Sequence, residues 1–264
     1  MAWLTKSRFL AGLQCPKRLW FEANQPLEQP SPERLSLWQG RAFDQVVREM
    51  QPGVVISREK GMPSAIAETT RVMKAGGAPV LYQPAFRHGD LAVIADVLRR
   101  GRKPFELIEV KSSTRVKDEH LPDAAFQTLV LRGAKVPVSS VFIGHVDNTF
   151  VLERPGDYSG LLAEEDVTDA VEASLRSIAD QANEQLAVMA SPEVPEIEMG
   201  PQCTRPYECP FIARCTAERG GAPQFPVELL PRGGKRVDML RAEGFEDLRQ
   251  VPADRLTNDK HRRV

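Results

Sequence analysis

Residues 90–127 constrain the fold of this chain more than any other stretch, because they place charged residues inside two apolar runs. The runs cover residues 91–98 and 105–112. Glycine and basic residues at positions 100–103 separate them, which predicts a short turn. Two β-type runs joined by such a turn predict an antiparallel hairpin.

Charged side chains interrupt these runs, among them Asp96, Glu109 and Lys111. Side chains alternate across a strand, so Glu109 and Lys111 share a face while Ile108 and Val110 point the other way. Charged groups are costly to bury unless they pair or bind a metal. If the hairpin brings Asp96 to the same face, two carboxylates and an ammonium converge. That is the minimum set for metal-assisted hydrolysis of a phosphodiester, with the carboxylates holding a divalent cation.

A simpler interpretation competes with this one. An E-x-K triplet arises by chance on the order of once in a chain this long, and alone it predicts an exposed salt pair on a strand. The embedded Asp96 favours the functional interpretation. So does a helix predicted over residues 122–131, which carries Gln127 soon after the triplet.

Composition limits the class of protein. The chain has 264 residues, of which 42% are hydrophobic and 27% charged, as in ordinary soluble domains. No apolar run reaches the roughly 18 residues of a membrane span, and residues 1–13 are too mixed for a secretory signal. We therefore expect a cytoplasmic protein without a membrane partner. The net charge of −1 means that a nucleic acid would have to be held by a local groove.

The four cysteines are Cys15, Cys203, Cys209 and Cys215. Disulfides are rare in the cytoplasm, so four thiolates indicate zinc or an iron–sulfur cluster. Zinc sites favour pairs separated by about two to four residues. Five residues separate the successive downstream cysteines here, which favours an iron–sulfur cluster. Reduced core cysteines remain the alternative.

Four basic residues surround Cys15, and they are either a collar facing a phosphate backbone or a solvated helix face: Lys6, Arg8, Lys17 and Arg18. Asp44 falls beside the apolar stripe of a helix that ends near residue 50, where solvent exposure is the competing interpretation.

The rest of the pattern predicts further elements. We expect a strand over residues 79–86, a pair of strands over residues 138–146 and 149–153, and a long helix over residues 164–189. Residues 235–251 predict two short helices joined by Gly244 and Phe245. Such a unit is similar to a helix-hairpin-helix, which contacts phosphates through backbone amides, or it is a small packing module.

Taken together, these motifs resemble those of iron–sulfur RecB-like nucleases of the PD-(D/E)XK superfamily. Examples are CRISPR-associated RecB-like exonucleases and bacterial predicted RecB-family nucleases. The resemblance covers roughly residues 3–217. It rests on the opening LTKSRFLAGLQCPKRLW and on motif positions that occur in the family's order: Asp44 four residues after Gly40, Asp96, Glu109, Lys111 and Gln127. The chain departs from the family at Asp44 (commonly histidine), at Leu131 (tyrosine of Q-x-x-x-Y) and at Gln83 (acidic in close relatives).

The resemblance implies an α/β fold with a restriction-endonuclease-like core, in which helices flank a mixed central sheet. An iron–sulfur cluster would join the N- and C-terminal helical segments. The expected divisions are a helical segment with the first cluster cysteine, the nuclease core, a cluster-binding segment and a helix-hairpin-helix-like appendage: residues 1–30, 31–190, 191–220 and 221–264.

The implied activity is that of a metal-dependent DNA exonuclease acting on single-stranded ends. Asp96, Glu109 and the Val110 carbonyl would bind Mg²⁺ or Mn²⁺, with Asp44 as a further ligand. Lys111 would orient the attacking water, and Gln127 would position substrate or lysine.

A 4Fe–4S cluster on the four cysteines would be structural. DNA is the implied partner, together with possible nuclease or helicase subunits. The alternatives are a catalytically weakened module that binds DNA or assembles with partners, and a zinc-stapled structural protein.

Overall fold

The computed structural model describes residues 3–27, 35–101, 105–219, 223–256 and 258–263. It divides into two compact units, Met1–Tyr207 and Glu208–Val264. The predicted divisions at residues 30/31 and 220/221 lie outside the described residues. The first unit is mixed α/β, as expected.

The main sheet of the first unit mixes parallel and antiparallel strands. Within the described ranges its strands lie side by side in this order: β2 (Val54–Val55), β3 (Val80–Tyr82), β6 (Val97–Arg99), β7 (Phe105–Lys111), β8 (Val138–Val146) and β9 (Leu162–Asp166). The pairs β2–β3 and β7–β8 are parallel, and the others are antiparallel. A smaller sheet has the order β1 (Leu4–Thr5), β5 (Leu91–Ile94) and β4 (Ala85–His88).

Helices cover both sheets of this unit: α1 (Lys6–Gln14), α2 (Pro16–Asn24), α3 (Leu35–Met50), α4 (Met62–Ala75), α5 (His120–Gly133) and α6 (Thr168–Ala190). Thr5 caps α1, since its side chain accepts a hydrogen bond from the Arg8 backbone N–H. Pro16 opens α2, where its missing N–H costs nothing.

Strand β7 separates two apolar layers by simple alternation. Phe105 and Leu107 pack in the layer that includes α5, whereas Ile108 and Val110 pack with residues of α3. Helix α1 joins the first layer through Phe9, whose ring stacks on Phe126 of α5 at 4.4 Å between centroids. Glu109 and Lys111 therefore face α5.

Two predicted strands are wrong in the same way. Residues 79–86 form β3 and β4, and residues 91–98 form β5 and β6, so each predicted strand is split between the two sheets. The two segments pass from one sheet to the other side by side and are hydrogen-bonded to each other there. Gln83 N donates to the Asp96 carbonyl, and Ala95 N donates to the Pro84 carbonyl, both at 3.0 Å. Pro84 has no N–H for a ladder, and Gln83 lies at a φ of 55°, so the strand cannot continue straight.

The predicted strand over residues 149–153 is also wrong. The antiparallel partner of β8 is β9, so the predicted start of the long helix at residue 164 is also wrong, because residues 164–166 belong to this strand. Asp147 accepts hydrogen bonds from the backbone N–H and hydroxyl of Thr149, which turns the chain away from β8. Helix α6 then begins at Thr168, whose hydroxyl accepts a bond from Val141 N.

The second unit contains α7 (Ile212–Glu218) and α8 (Gly234–Ala242). The prediction of a second helix within residues 235–251 is wrong, because the 3₁₀ turn Leu248–Gln250 stands in its place, and a further 3₁₀ turn, Ala253–Arg255, follows it. Asp247 caps the first of these turns through Arg249 N. Gly244, at a φ of 89°, follows α8 as a left-handed terminating residue. Across the described parts of both units, no helix is long and apolar enough to cross a bilayer.

Candidate functional site

Polar side chains from three elements of the first unit meet where β7 ends. Lys6 is the first residue of α1, Glu109 and Lys111 lie on β7, and Asp123 and Gln127 lie one turn apart on α5. With Asp96, which precedes β6, we name these six residues the carboxylate–lysine cluster.

Glu109 is the centre of this cluster and is only 1% exposed. Lys6 Nζ lies 2.9 Å from its Oε1 and 3.1 Å from its Oε2. Lys111 Nζ lies 2.6 Å from Oε1, and Gln127 Nε2 donates to Oε2 at 2.6 Å. Both oxygens of Glu109 are thus fully hydrogen-bonded, as a buried carboxylate requires.

Asp123 is a second buried carboxylate, which the sequence interpretation missed. Its Oδ2 accepts from Lys111 Nζ at 2.5 Å, and its Oδ1 accepts from Gln127 Nε2 at 2.9 Å. Its spacing of four residues before Gln127 is the sequence feature that would have revealed it, because that spacing places both on one helical face. Gln127 donates to Glu109 and Asp123 together, and its Oε1 has no hydrogen-bond partner among the described residues.

Asp96 ends the β6–β7 pairing beside Glu109. The last residue pair of the two strands at this end is Val97 with Ile108. Just beyond it, the Asp96 carboxylate accepts a hydrogen bond from Val110 N at 2.9 Å. The Asp96 side chain thereby accepts a hydrogen bond from a backbone N–H that has no partner in the β6–β7 ladder. Asp44 of α3 is half-buried and within electrostatic reach of Glu109.

The pKa values of the three carboxyl groups in the cluster shift in opposite directions. Burial alone would raise the pKa of Glu109, but the ammonium groups of Lys111 and Lys6 hold it well below its usual range. Burial and the charge of Glu109 raise the pKa of Asp96 well above its ordinary value. The same two causes raise the pKa of Asp123. Glu109 is therefore the carboxylate that the lysines keep ionised.

The lysines remain charged. Burial opposes the charge on Lys6, but Asp123, Asp96 and Glu109 outweigh it and raise its pKa. Glu109 and Asp123 likewise outweigh the burial of Lys111 and raise its pKa. Lys6 and Lys111 are 25% and 23% exposed, whereas Glu109 and Asp123 are almost fully enclosed. The ammonium groups accordingly form the solvent side of the cluster.

The other predicted residues lie elsewhere in the first unit. Arg8 donates to the carbonyls of Trp3 and Glu22, and Arg18 pairs with the Glu22 carboxylate at 2.8 Å. Lys17 lies over the Phe21 ring, 5.9 Å from its centroid. Leu131 is part of the apolar core, and Gln83 lies where the chain passes between the sheets.

The four predicted cluster cysteines all lie within the described residues, and none of them forms a disulfide. In the first unit, Gln14 Nε2 donates to the carbonyls of Gln202 and Tyr207, both at 2.6 Å, and so ties the chain beside Cys15 to the segment that holds Cys203. In the second unit, Cys209 is buried and Cys215 lies on α7.

Within the described ranges, no group of three or more His, Cys, Asp or Glu side chains is arranged to hold a metal ion. In the cluster, ammonium groups contact the oxygens that a cation would need. The donor chemistry nevertheless suits a hard divalent cation, since carboxylates outnumber ammonium groups by three to two and Asp44 adds another nearby.

No protein-family model matches this chain, and no curated protein matches it. A search of solved structures found a crystal structure of SSO0001 with 14% sequence identity and a TM-score of 0.30. The alignment covers 72% of this chain and 77% of the other. A likeness this weak indicates neither a shared fold nor a shared function.

Proposed function

We propose that the first unit is a metal-dependent nuclease of the RecB-like type, with a restriction-endonuclease-like core, that hydrolyses phosphodiester bonds in single-stranded DNA ends. The observation that supports this most directly is the meeting of Asp96, Glu109 and Lys111, the three residues that the motifs selected, around one buried carboxylate. Asp123 and Gln127 complete that environment.

The oxygens of Asp96 and Glu109 would hold Mg²⁺ or Mn²⁺, with the Val110 carbonyl, Asp123 and Asp44 as further oxygen donors. The cation would supply neutralisation of phosphate charge and a more acidic bound water. The chain's own residues prepare that site. Glu109 stays ionised, and Gln127 fixes its orientation by donating to Oε2.

Lys111 supplies positive charge where a phosphate would approach. Its ammonium is held by Glu109 and Asp123 on the exposed side of the cluster. A charged group preorganised in this way stabilises the negative charge that develops on a phosphoryl oxygen and orients a water beside it. Lys6 adds a second ammonium on the same side.

Cleavage of end-labelled single-stranded DNA with Mn²⁺ tests the proposal. Asp96→Asn is the informative variant, because an asparagine oxygen can still accept the hydrogen bond from Val110 N. Glu106→Gln is the matched control on β7, where Glu106 pairs with Arg99 on the other side of the strand. We expect wild type and Glu106→Gln to cleave and Asp96→Asn to lose activity. Equal cleavage by all three would refute this site.

A second candidate is a DNA-binding or assembly module that keeps the nuclease fold. The saturation of both Glu109 oxygens by chain donors favours it, since the cluster is already satisfied without a cation. DNA binding that weakens steeply with salt, without cleavage at any Mn²⁺ concentration, would support this alternative over the nuclease.

We also propose, from the cysteine count and the family resemblance, that Cys15, Cys203, Cys209 and Cys215 bind a 4Fe–4S cluster. Cysteine thiolates are the ligands of such clusters, and none of these four cysteines is engaged in a disulfide. Anaerobically purified protein should be brown, and Cys203→Ser should lose iron. A colourless protein that contains zinc would establish the zinc-stapled alternative instead.

A further inference from the structure

Lys6 differs from the other donors around Glu109 in how it is held. Any cation that binds Glu109 has to replace a donor on Oε1 or Oε2, because both are occupied. Three side chains provide those donors: Lys6, Lys111 and Gln127. The contacts of each decide which one can leave.

Gln127 is fully buried and is also fixed by Asp123 at 2.9 Å. Lys111 is also fixed by Asp123, at 2.5 Å, and its backbone lies in the ladder opposite His145 of β8. Lys6 makes longer contacts, of 2.9 and 3.1 Å to Glu109 and 3.6 Å to Asp123. It is partly exposed and projects from the first residue of α1 on a flexible four-carbon stem.

We propose that the Lys6 ammonium is an internal substitute for the divalent cation. It contacts both Glu109 oxygens when no cation is bound, and a divalent cation displaces it. This inference rests on the proposed function, because it concerns the same site. Lys6 is then a positioning residue that sets how readily the site takes metal.

The occupied oxygens support an exchange rather than an addition. Each Glu109 oxygen already accepts two hydrogen bonds, so a cation that bound there without displacing a donor would lie close to the ammonium groups of both Lys6 and Lys111. Like charges repel strongly in a largely buried site. If the cation takes the place of Lys6, only the repulsion from Lys111 remains.

Calorimetric titration of Mn²⁺ into wild type, Lys6→Met and Lys74→Met tests the exchange. Lys74 is an exposed residue in the last turn of α4, so its variant loses one positive charge away from the cluster. We expect Lys6→Met to bind Mn²⁺ about tenfold more tightly than wild type, since the competing charge is gone. Lys74→Met should match wild type.

The outcomes separate this inference from the proposed function. Wild-type binding with equal or weaker affinity in Lys6→Met would overturn the role of Lys6 and leave the nuclease proposal standing. Tighter Mn²⁺ binding by Lys6→Met, together with absence of DNA cleavage by the wild type, would support the role of Lys6 and count against the nuclease. Absence of Mn²⁺ binding in every protein would overturn both.

A second measurement uses the wild-type protein and does not depend on how Lys6→Met folds. Acetic anhydride modifies exposed amines, and mass spectrometry follows each lysine. We expect Mg²⁺ to raise the rate of Lys6 acetylation severalfold, because displacement frees its amine from Glu109. Lys74 should be unaffected. A constant Lys6 rate at Mg²⁺ concentrations that calorimetry shows to be saturating would overturn the inference.

Discussion

Replacing Glu109 with glutamine should destabilise the first unit severely. Glu109 is 1% exposed, and Lys6, Lys111 and Gln127 all donate to it. A glutamine removes the negative charge and points an NH₂ donor at another donor. Removing one partner of a buried ion pair costs roughly 3–5 kcal/mol. We therefore expect the free energy of unfolding to fall by about 3–5 kcal/mol, a large part of a typical total of about 5–15 kcal/mol.

Urea unfolding followed by far-ultraviolet circular dichroism, at neutral pH and without divalent cations, measures this loss. Glu106→Gln is the control on β7, because the Glu106–Arg99 pair is one-quarter exposed on both sides and exposed pairs contribute about 1 kcal/mol or less. If the two variants lost the same stability, Glu109 would not be the buried centre of the cluster.

A double-mutant cycle isolates the pair itself. The cost of combining Lys6→Met with Glu109→Gln should fall short of the summed single costs by about 1–3 kcal/mol, as for other residues in contact. Additive costs would show that Lys6 and Glu109 are not coupled.

Two further predictions concern the surroundings of the site. Burial lowers the pKa of His120 to about 4, so the stability that its neutral form contributes is lost as the pH falls from about 6.5 towards that value. His120→Asn should flatten the dependence of the unfolding free energy on pH between these two values. An unchanged slope would contradict the assignment. Phe9→Ala should cost about 3–5 kcal/mol, because Phe9 is fully buried against Phe126; Leu13→Ala on the exposed part of α1 is its control in the same urea assay, and a similar cost for both would contradict this packing.

Local periodicity predicted the parts of the site that lie on one element. Alternation along β7 placed Glu109 and Lys111 on one face, and the two side chains meet at 2.6 Å. The short turn between the two apolar runs predicted antiparallel pairing, and β6 and β7 pair in that way. In each case the physical cause lies within a few neighbouring residues, so the sequence contains it.

Contacts between distant segments could not be predicted in that way. Lys6 and Glu109 are 103 residues apart in sequence, and no local pattern connects them. The break in residues 91–98 depends on a parallel break in residues 79–86, since each crossing segment supplies the hydrogen bonds of the other. Asp123 lies between these two cases. Its spacing from Gln127 is a local feature of the sequence, but its partner Lys111 lies on a different element.

Helix α1 carries both Lys6, which contacts Glu109, and Phe9, which stacks on Phe126. The apolar packing of this helix therefore helps to position its charged residue. Phe9 follows Lys6 by three residues, nearly one turn of α1, so the stacked rings hold that turn in place independently of the ion pair. The Lys6 side chain can therefore leave Glu109 while the backbone of α1 stays docked. Loss of the Phe9 contact would instead weaken the packing that places α1, and with it Lys6, beside Glu109. Apolar packing would thus let the proposed cation exchange take place while α1 stays docked.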